Sequence, residues 1–329
     1  MLGRRALLQG LAGMLLAAPR GAAAQPAHRT YRVGVLRPAP TDARFQRDFG
    51  GFRDALREGG YAEGVNLALE YRLRPGPSDA ILGMAAELVR LPVDVITAIS
   101  PAAVVAAAKA TRTIPIVAVD LESDPLATGL VTSLARPGGH VTGLFLDFPE
   151  LAGKWLELIR EAVPGLTRVA VLWDPATGPA QMRAAEAAAR TLRLQIQPLQ
   201  AHAAADLDAA VGSAVKERAG ALVVLSSPVF NAARRHVAIL AAESRLPSIM
   251  AFPGYAEDGG LIGYGPELHS MFEQAGRHVV RVLKGTPPRE IPVERPARFS
   301  LLVNQRTARG LGLTIPPSLL ARADEVVQR

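Results

Sequence analysis

The chain has 329 residues, 49% of them apolar, and a formal net charge of +7. That apolar share over that length marks a globular chain able to form two compact lobes. It contains no cysteine, which excludes disulfides, thiolate metal sites, cysteine nucleophiles and a lipid-modified N-terminal cysteine.

At the N-terminus, Arg4 and Arg5 precede the apolar run "ALLQGLAGMLLAAP", and Ala22, Ala23 and Ala24 offer a small-residue cleavage site. This pattern predicts an export signal over residues 1–24, of twin-arginine type, and a periplasmic mature chain without a lipid anchor. After it no stretch reaches the roughly 18 apolar residues of a bilayer span. Arg4, Arg5 and Arg20 belong to the signal, and lysine occurs only at Lys109, Lys154, Lys216 and Lys284. The remaining arginines are scattered, with no dense basic run or interleaved aromatics, so nucleic acid is not an expected partner.

Apolar runs then alternate with alanine-rich helical stretches. The first half reads strand 31–36, helix 45–58, strand 65–71, helix 79–90, strand 93–98, helix 102–110 and strand 114–119. A short helix over 126–135 leads into a strand at 140–145. The second half repeats the order: strand 168–173, helix 180–192, strand 194–200, helix 206–218, strand 221–225, helix 230–244 and strand 247–252. Ser100-Pro101 and Ser227-Pro228 follow the third strand of each half, and Pro115 and Pro247 open the fourth strands. A helix at 266–284 and a strand at 298–304 must return to these lobes to bury their apolar faces.

The expected fold is therefore α/β: two doubly wound parallel-sheet lobes joined by a multi-strand hinge. Lobe 1 takes residues 31–146 plus about 263–288, and lobe 2 takes 147–262 plus about 289–329. Right-handed crossovers place the strand C-termini of a lobe on one edge, where ligands bind, and two facing edges make a cleft.

Several chemistries are missing from the sequence. The first strand is followed by "LRPAPTDARF", without the glycines of a dinucleotide fingerprint, and no G-x-x-x-x-G-K-[ST] loop occurs. The six histidines form no H-x-H or H-E-x-x-H pattern, and there is no G-x-S-x-G elbow. No cofactor and no metal site are expected. In "SLARPGGHVTG" (133–143) the glycine pair precedes a strand, the reverse of a phosphate loop, and reads as punctuation.

The candidate site lies on the strand edges. Ser100 and Ser227 cap helix starts and can aim backbone donors at an anion, with Ala102 in the first turn after Ser100; both serines are equally readable as ordinary caps. Asp120, Glu122 and Asp124 lie on the first edge, where a carboxylate can take an ammonium group, and Asp124 before Pro125 also reads as a turn residue. Trp173, Asp174 and Ser226 lie on the second edge, where an aromatic can cover a flat ligand. Phe252 reads as core, lid or stacking face, and Arg37 as an anion partner or a solvated loop charge.

The segments "GYAEGVNLALEYR" (60–72), "AAELVRLPVDVI" (85–96), "TIPIVAVDLESDPLATGLVTSLARPGGHVTGL" (113–144), "PGLTRVAVLWDP" (164–175) and "ARGLGLTIPPSLLARADEVV" (308–327) together resemble the exported solute-binding proteins of the tryptophan/tyrosine ABC-transporter family. The resemblance runs across nearly the whole mature chain. It implies a type I periplasmic-binding fold and a monomer that closes on a small molecule, an amino acid or aromatic carboxylate. It implies delivery to a membrane permease driven by an ATPase. The chain has Ser100 where the family usually has threonine, His140 where it has asparagine after the glycines, and Asp174 where its tryptophan motif ends in asparagine. A periplasmic sensor docking on a membrane receptor, or a hydrolase or lyase using cleft carboxylates, are the alternative functions.

Overall fold

The computed structural model describes residues 29–39, 41–74, 78–146 and 148–328, so the export signal expected over 1–24 lies outside the described residues. The first half forms β1 (Tyr31–Arg37), α1 (Ala43–Asp48), α2 (Gly50–Glu58), β2 (Leu67–Leu73), α3 (Ser78–Val89), β3 (Val95–Ile99), α4 (Pro101–Ala110), β4 (Ile116–Asp120) and β5 (Val141–Phe145). These strands make an all-parallel sheet in the order β2-β1-β3-β4-β5. β4 is buried along its whole length, because helices cover both faces of a parallel sheet and its central strands need no polar alternation.

The chain continues through α5 (Phe148–Ala162), β6 (Arg168–Trp173), α6 (Ala180–Leu192), β7 (Gln195–Gln200), α7 (Leu207–Lys216), β8 (Leu222–Val224), α8 (Pro228–Ala232), α9 (Arg234–Glu243), β9 (Ser248–Met250), α10 (Gly254–Glu257) and β10 (Ile262–Pro266). It ends with α11 (Leu268–Leu283), β11 (Phe299–Asn304), α12 (Gln305–Gly310), α13 (Pro317–Leu320) and β12 (Glu325–Val327). The second sheet runs β12-β11-β10-β9-β8-β6-β7, with β11 antiparallel to β10. Its segment β7-β6-β8-β9-β10 therefore repeats the strand order of the first sheet.

Each lobe receives a helix from the other. α5 follows the fifth strand of the first sheet but packs on α6, and α11 follows the fifth strand of the second sheet but packs on α2. α5 is fixed by Trp155, fully buried, whose indole Nε1 donates to the carbonyl of Tyr264 at 2.8 Å. One continuous core joins the inner faces of both lobes, running from Val33 and Phe52 through Trp155 to Val169 and Ile249. Separate clusters fill the outer face of each lobe.

Three crossings join the lobes. The first follows Phe145. The second falls after Pro266, because β10 pairs in the second sheet, so the expected boundary at about 263 moves a few residues on. The third follows Glu294, whose amide donates to Gly143 O at 3.0 Å while its carbonyl accepts from the Phe145 amide at 3.0 Å. This segment extends the first sheet beyond the boundary expected at about 289.

Three local expectations are corrected. The helix expected over 45–58 breaks between α1 and α2 at Phe49, and that over 230–244 breaks at Ala233. No helix forms over 126–135: Leu130 and Val131 amides both return to Pro125 O, and Gly129 at φ 69° ends the turn. Gly138, at φ 82°, supplies the reversal before β5. β10 had no forecast; in it a Cβ on Gly263 would lie 2.4 Å from Pro253 O, so glycine is required for the strand to pass beneath that loop. Among the described residues no helix is long and apolar enough to cross a membrane.

Candidate functional site

The C-terminal ends of β1, β3 and β4 in the first lobe and of β8 and β9 in the second face one cavity. With its open mouth included, it holds about 760 Å³ of atom-free space. Ser100 lies between β3 and α4, where its amide donates to Val119 O at 2.9 Å and its hydroxyl accepts from the Ala103 amide at 3.3 Å. That position requires φ 109° and ψ 157°, a region essentially reserved for glycine. Phe252, opposite it in the second lobe, also has a positive φ of 77°. Two strained non-glycine residues thus face the cavity, one from each lobe.

An apolar wall completes the first-lobe side. Phe45 from α1 stacks on Phe49 at 5.0 Å and meets Phe272 of α11 edge-on at 6.0 Å, with Met271 beside them. The Arg37 guanidinium lies 4.3 Å from the Phe45 ring centroid. Burial lowers its pKa, while nearby Asp42 and Asp48 act in the opposite direction.

Glu122 extends from the loop after β4 into the same cavity. It is buried, and its Oε1 accepts from the hydroxyl of Ser226 in the other lobe at 2.7 Å. Burial first, then the neighbouring Asp120, pushes its carboxyl up to about 8. Asp120 is fully buried behind it; its Oδ1 accepts from the amides of Glu122 (3.1 Å) and Ser123 (3.0 Å), and its Oδ2 accepts from the Ser123 hydroxyl. Burial outweighs these bonds and pushes the Asp120 carboxyl up to about 6. Among the described residues neither carboxylate has a Lys, Arg or His ion-pair partner.

The second-lobe serines are held from behind. Ser227 Oγ donates to Asp174 Oδ2 at 2.7 Å, and Asp174 Oδ1 accepts from the Ala176 amide at 2.9 Å. Gln181 of α6 brackets Ser226, accepting from its amide at 2.9 Å and donating to its carbonyl at 3.0 Å. At the rim Arg44 crosses to the second lobe, donating to Gly254 O at 3.1 Å and pairing with Glu257 and Asp258 at 3.2 and 3.4 Å.

Of the candidate residues, the structure brings Arg37, Ser100, Ser227 and Phe252 together around the cavity. It does not place Ala102, Asp120, Asp124, Trp173, Asp174 or Ser226 on its wall. Ala102 points outward and is exposed. Asp120 and Asp174 use their oxygens on loop amides and serine hydroxyls, and Asp124 closes a turn on the Leu126 amide at 2.8 Å. Trp173 shares a sheet face with Val169 and Val171 and packs toward the continuous core. Ser226 reaches Glu122 rather than open space. The aromatic wall of Phe45 and Phe272 was not foreseen, because aromatics on helix faces read as core. Among the described residues no three His, Asp or Glu side chains gather as a metal site.

Two lobes of equal strand order, a swapped helix on each, three crossings and a cavity between strand edges define a hinged protein of the type I periplasmic-binding class. The sequence profile of the family described as ABC transporter substrate binding protein matches residues 32–327, and the chain belongs to that family. It is 26% identical over 268 residues to the tyrosine-binding protein of Clostridioides difficile, covering 80% of this chain and 76% of that one. It superposes on a conserved domain protein from Vibrio cholerae with TM-score 0.83 and 27% identity, covering 91% of this chain and all of that one. A Streptococcus pneumoniae ABC domain in complex with L-Trp gives TM-score 0.82 at 24% identity, again covering 91% of this chain and all of that one.

Proposed function

We propose that this chain is exported to the periplasm and, as a monomer without a cofactor, captures an aromatic amino acid or related carboxylate between its lobes. It then presents the closed form to a membrane permease worked by an ATPase. The observation that carries this reading is the composition of the cavity: a wall of Phe45, Met271, Phe272 and Phe252 for an aromatic body, beside Ser100 and Arg37 for a carboxylate. Ser100 stands at the N-terminus of α4, a ten-residue helix, whose first amides and dipole favour an anion. The tyrosine-binding and L-Trp-bound relatives support the same ligand class.

Binding is selection followed by closure. The ligand rests on the first lobe through Ser100, Arg37 and the Phe45–Phe272 wall. Contacts from Ser227 and Phe252 are added only when the second lobe swings in, and Arg44 then reaches Gly254 and Asp258. No bond is made or broken. A thermal-shift screen of the mature protein against amino acids, aromatic acids and nucleosides tests the reading, since a ligand of the native state alone stabilises by RT ln(1 + [L]/Kd). A shift with aromatic amino acids is expected; a shift confined to another class overturns the ligand assignment.

A further inference from the structure

We propose that Glu122 is the point at which the cleft takes a positively charged, ammonium-type group of its ligand, and that this cation replaces a proton on the Glu122 carboxyl. The proposal rests on the reading of the inter-lobe cavity as the ligand cleft and adds the charge of what enters it. Glu122 lines that cavity, yet the residue is only 6% exposed. Among the described residues its side-chain hydrogen-bond partner is the Ser226 hydroxyl from the opposite lobe, a neutral donor like the Leu121 and Glu122 backbone amides that also support it. Asp120, a second carboxyl, is fully buried immediately behind it.

Buried carboxylates are ordinarily paired with a cation, because an isolated charge out of water costs several kcal/mol even after relaxation. This pair has none. Of the guanidiniums that line the cavity, Arg44 and Arg234 pair with Glu257 and Asp258, and Arg37 lies over the Phe45 ring with Asp42 and Asp48 nearby. Across the cleft, Asp174 is turned onto Ser227 and adds no positive charge. A buried carboxyl facing a ligand cavity, with a second carboxyl behind it and no cation beside either among the described residues, is left with two ways to lose charge: a proton, or a cation brought by the ligand. The raised pKa of about 8 at Glu122 fits a proton there before a ligand enters. An ammonium entering beside it lowers that pKa, and the proton leaves to solvent while the ligand keeps its own charge.

The closing of the lobes gains specificity from the same group. The Ser226 hydroxyl reaches Glu122 only when the lobes meet, and it can accept from the protonated acid or donate to the carboxylate. A ligand lacking a cation must therefore leave the proton in place.

The test is isothermal titration of the full mature chain with L-tryptophan, tryptamine and 3-indolepropionate, between pH 6 and 8, in buffers of different ionisation enthalpy. For the two amines, release of up to about one proton is expected, and Kd should tighten up to about tenfold per pH unit toward pH 8, the slope of a single linked ionisation. Glu122→Gln should weaken both amines at least tenfold at pH 8 and flatten their pH dependence, while 3-indolepropionate is unaffected. Ser226→Ala, which keeps the carboxyl, should preserve proton release. Equal losses for amines and 3-indolepropionate in Glu122→Gln, or enthalpies independent of buffer, would overturn the proposal. If no aromatic compound binds but a non-aromatic amine binds with proton release, the aromatic reading falls and this one stands. If no amine binds, or only uncharged and anionic compounds do, it is this one that falls.

Discussion

Ser100 offers a perturbation whose sign separates strain from capping. Its backbone, at φ 109° and ψ 157°, lies where a side chain costs about 1–3 kcal/mol, and its hydroxyl caps α4 through the Ala103 amide. Ser100→Ala keeps the strain and loses the cap, a loss of about 0.5–2 kcal/mol. Ser100→Gly releases the strain, gives back about 0.4–1 kcal/mol in unfolded-chain entropy and loses only a few tenths at the cap. Its net effect lies between about zero and +2 kcal/mol, so the glycine variant should exceed the alanine variant by about 0.5 kcal/mol or more. Urea denaturation of the ligand-free proteins measures the order, with the alanine variant lowest. Both variants should bind a carboxylate ligand more weakly than the parent, because both lack the hydroxyl. A glycine variant no more stable than the alanine one would refute the claim that this position stores strain for the site.

Asp174→Ala strands the Ser227 hydroxyl and the Ala176 amide, so it should lose about 2–4 kcal/mol of stability in the same assay. Its ligand affinity should fall only through the loosened Ser227, and an affinity loss without a stability loss would show direct ligand contact instead. In the ligand-free protein the folded pKa values of Asp120 and Glu122 are raised, to about 6 and about 8. The folded state therefore binds more protons than the unfolded chain between about pH 4 and about pH 8, and the contribution of this pair declines as pH rises through that window. Melting temperatures between pH 5 and 8 should accordingly fall more steeply in the parent than in Glu122→Gln; parallel curves would contradict the assignment. Gly263→Val should destabilise the second lobe by about 1–3 kcal/mol, because its side chain meets the Phe252 and Pro253 carbonyls. Wild-type stability there would mean that this loop yields easily.

Much of the architecture is legible because it rests on local signals. The buried strands of a parallel sheet read as apolar runs, and β6 and α6 fall at their expected bounds. β10 escaped because Gly263, Gly265 and Pro266 break its apolar run, glycines demanded by a backbone approach that no local pattern announces. Around the cavity, the positions of Arg37, Ser100, Ser227 and Phe252 are readable because strand C-termini gather at one edge. Trp173 and Asp174 stand on the same edge yet miss the cavity: Trp173 follows the strand alternation of Val169 and Val171 onto the core face, and Asp174 turns back onto Ser227. The roles of Phe45 and Phe272 depend on α11 returning from the other lobe. Glu122 could be named as an edge carboxylate, but its burial and its bond to Ser226 arise only from the approach of the two lobes.

The central claim is that the cavity between the lobes binds an aromatic amino acid, and the most direct measurement is calorimetric titration of the mature chain with L-tryptophan and L-tyrosine. Saturable single-site binding is expected, weakened by Phe272→Ala on the apolar wall and by Ser100→Ala at the head of α4. Absence of heat and of thermal stabilisation with both amino acids, alongside binding of another ligand class, would contradict it.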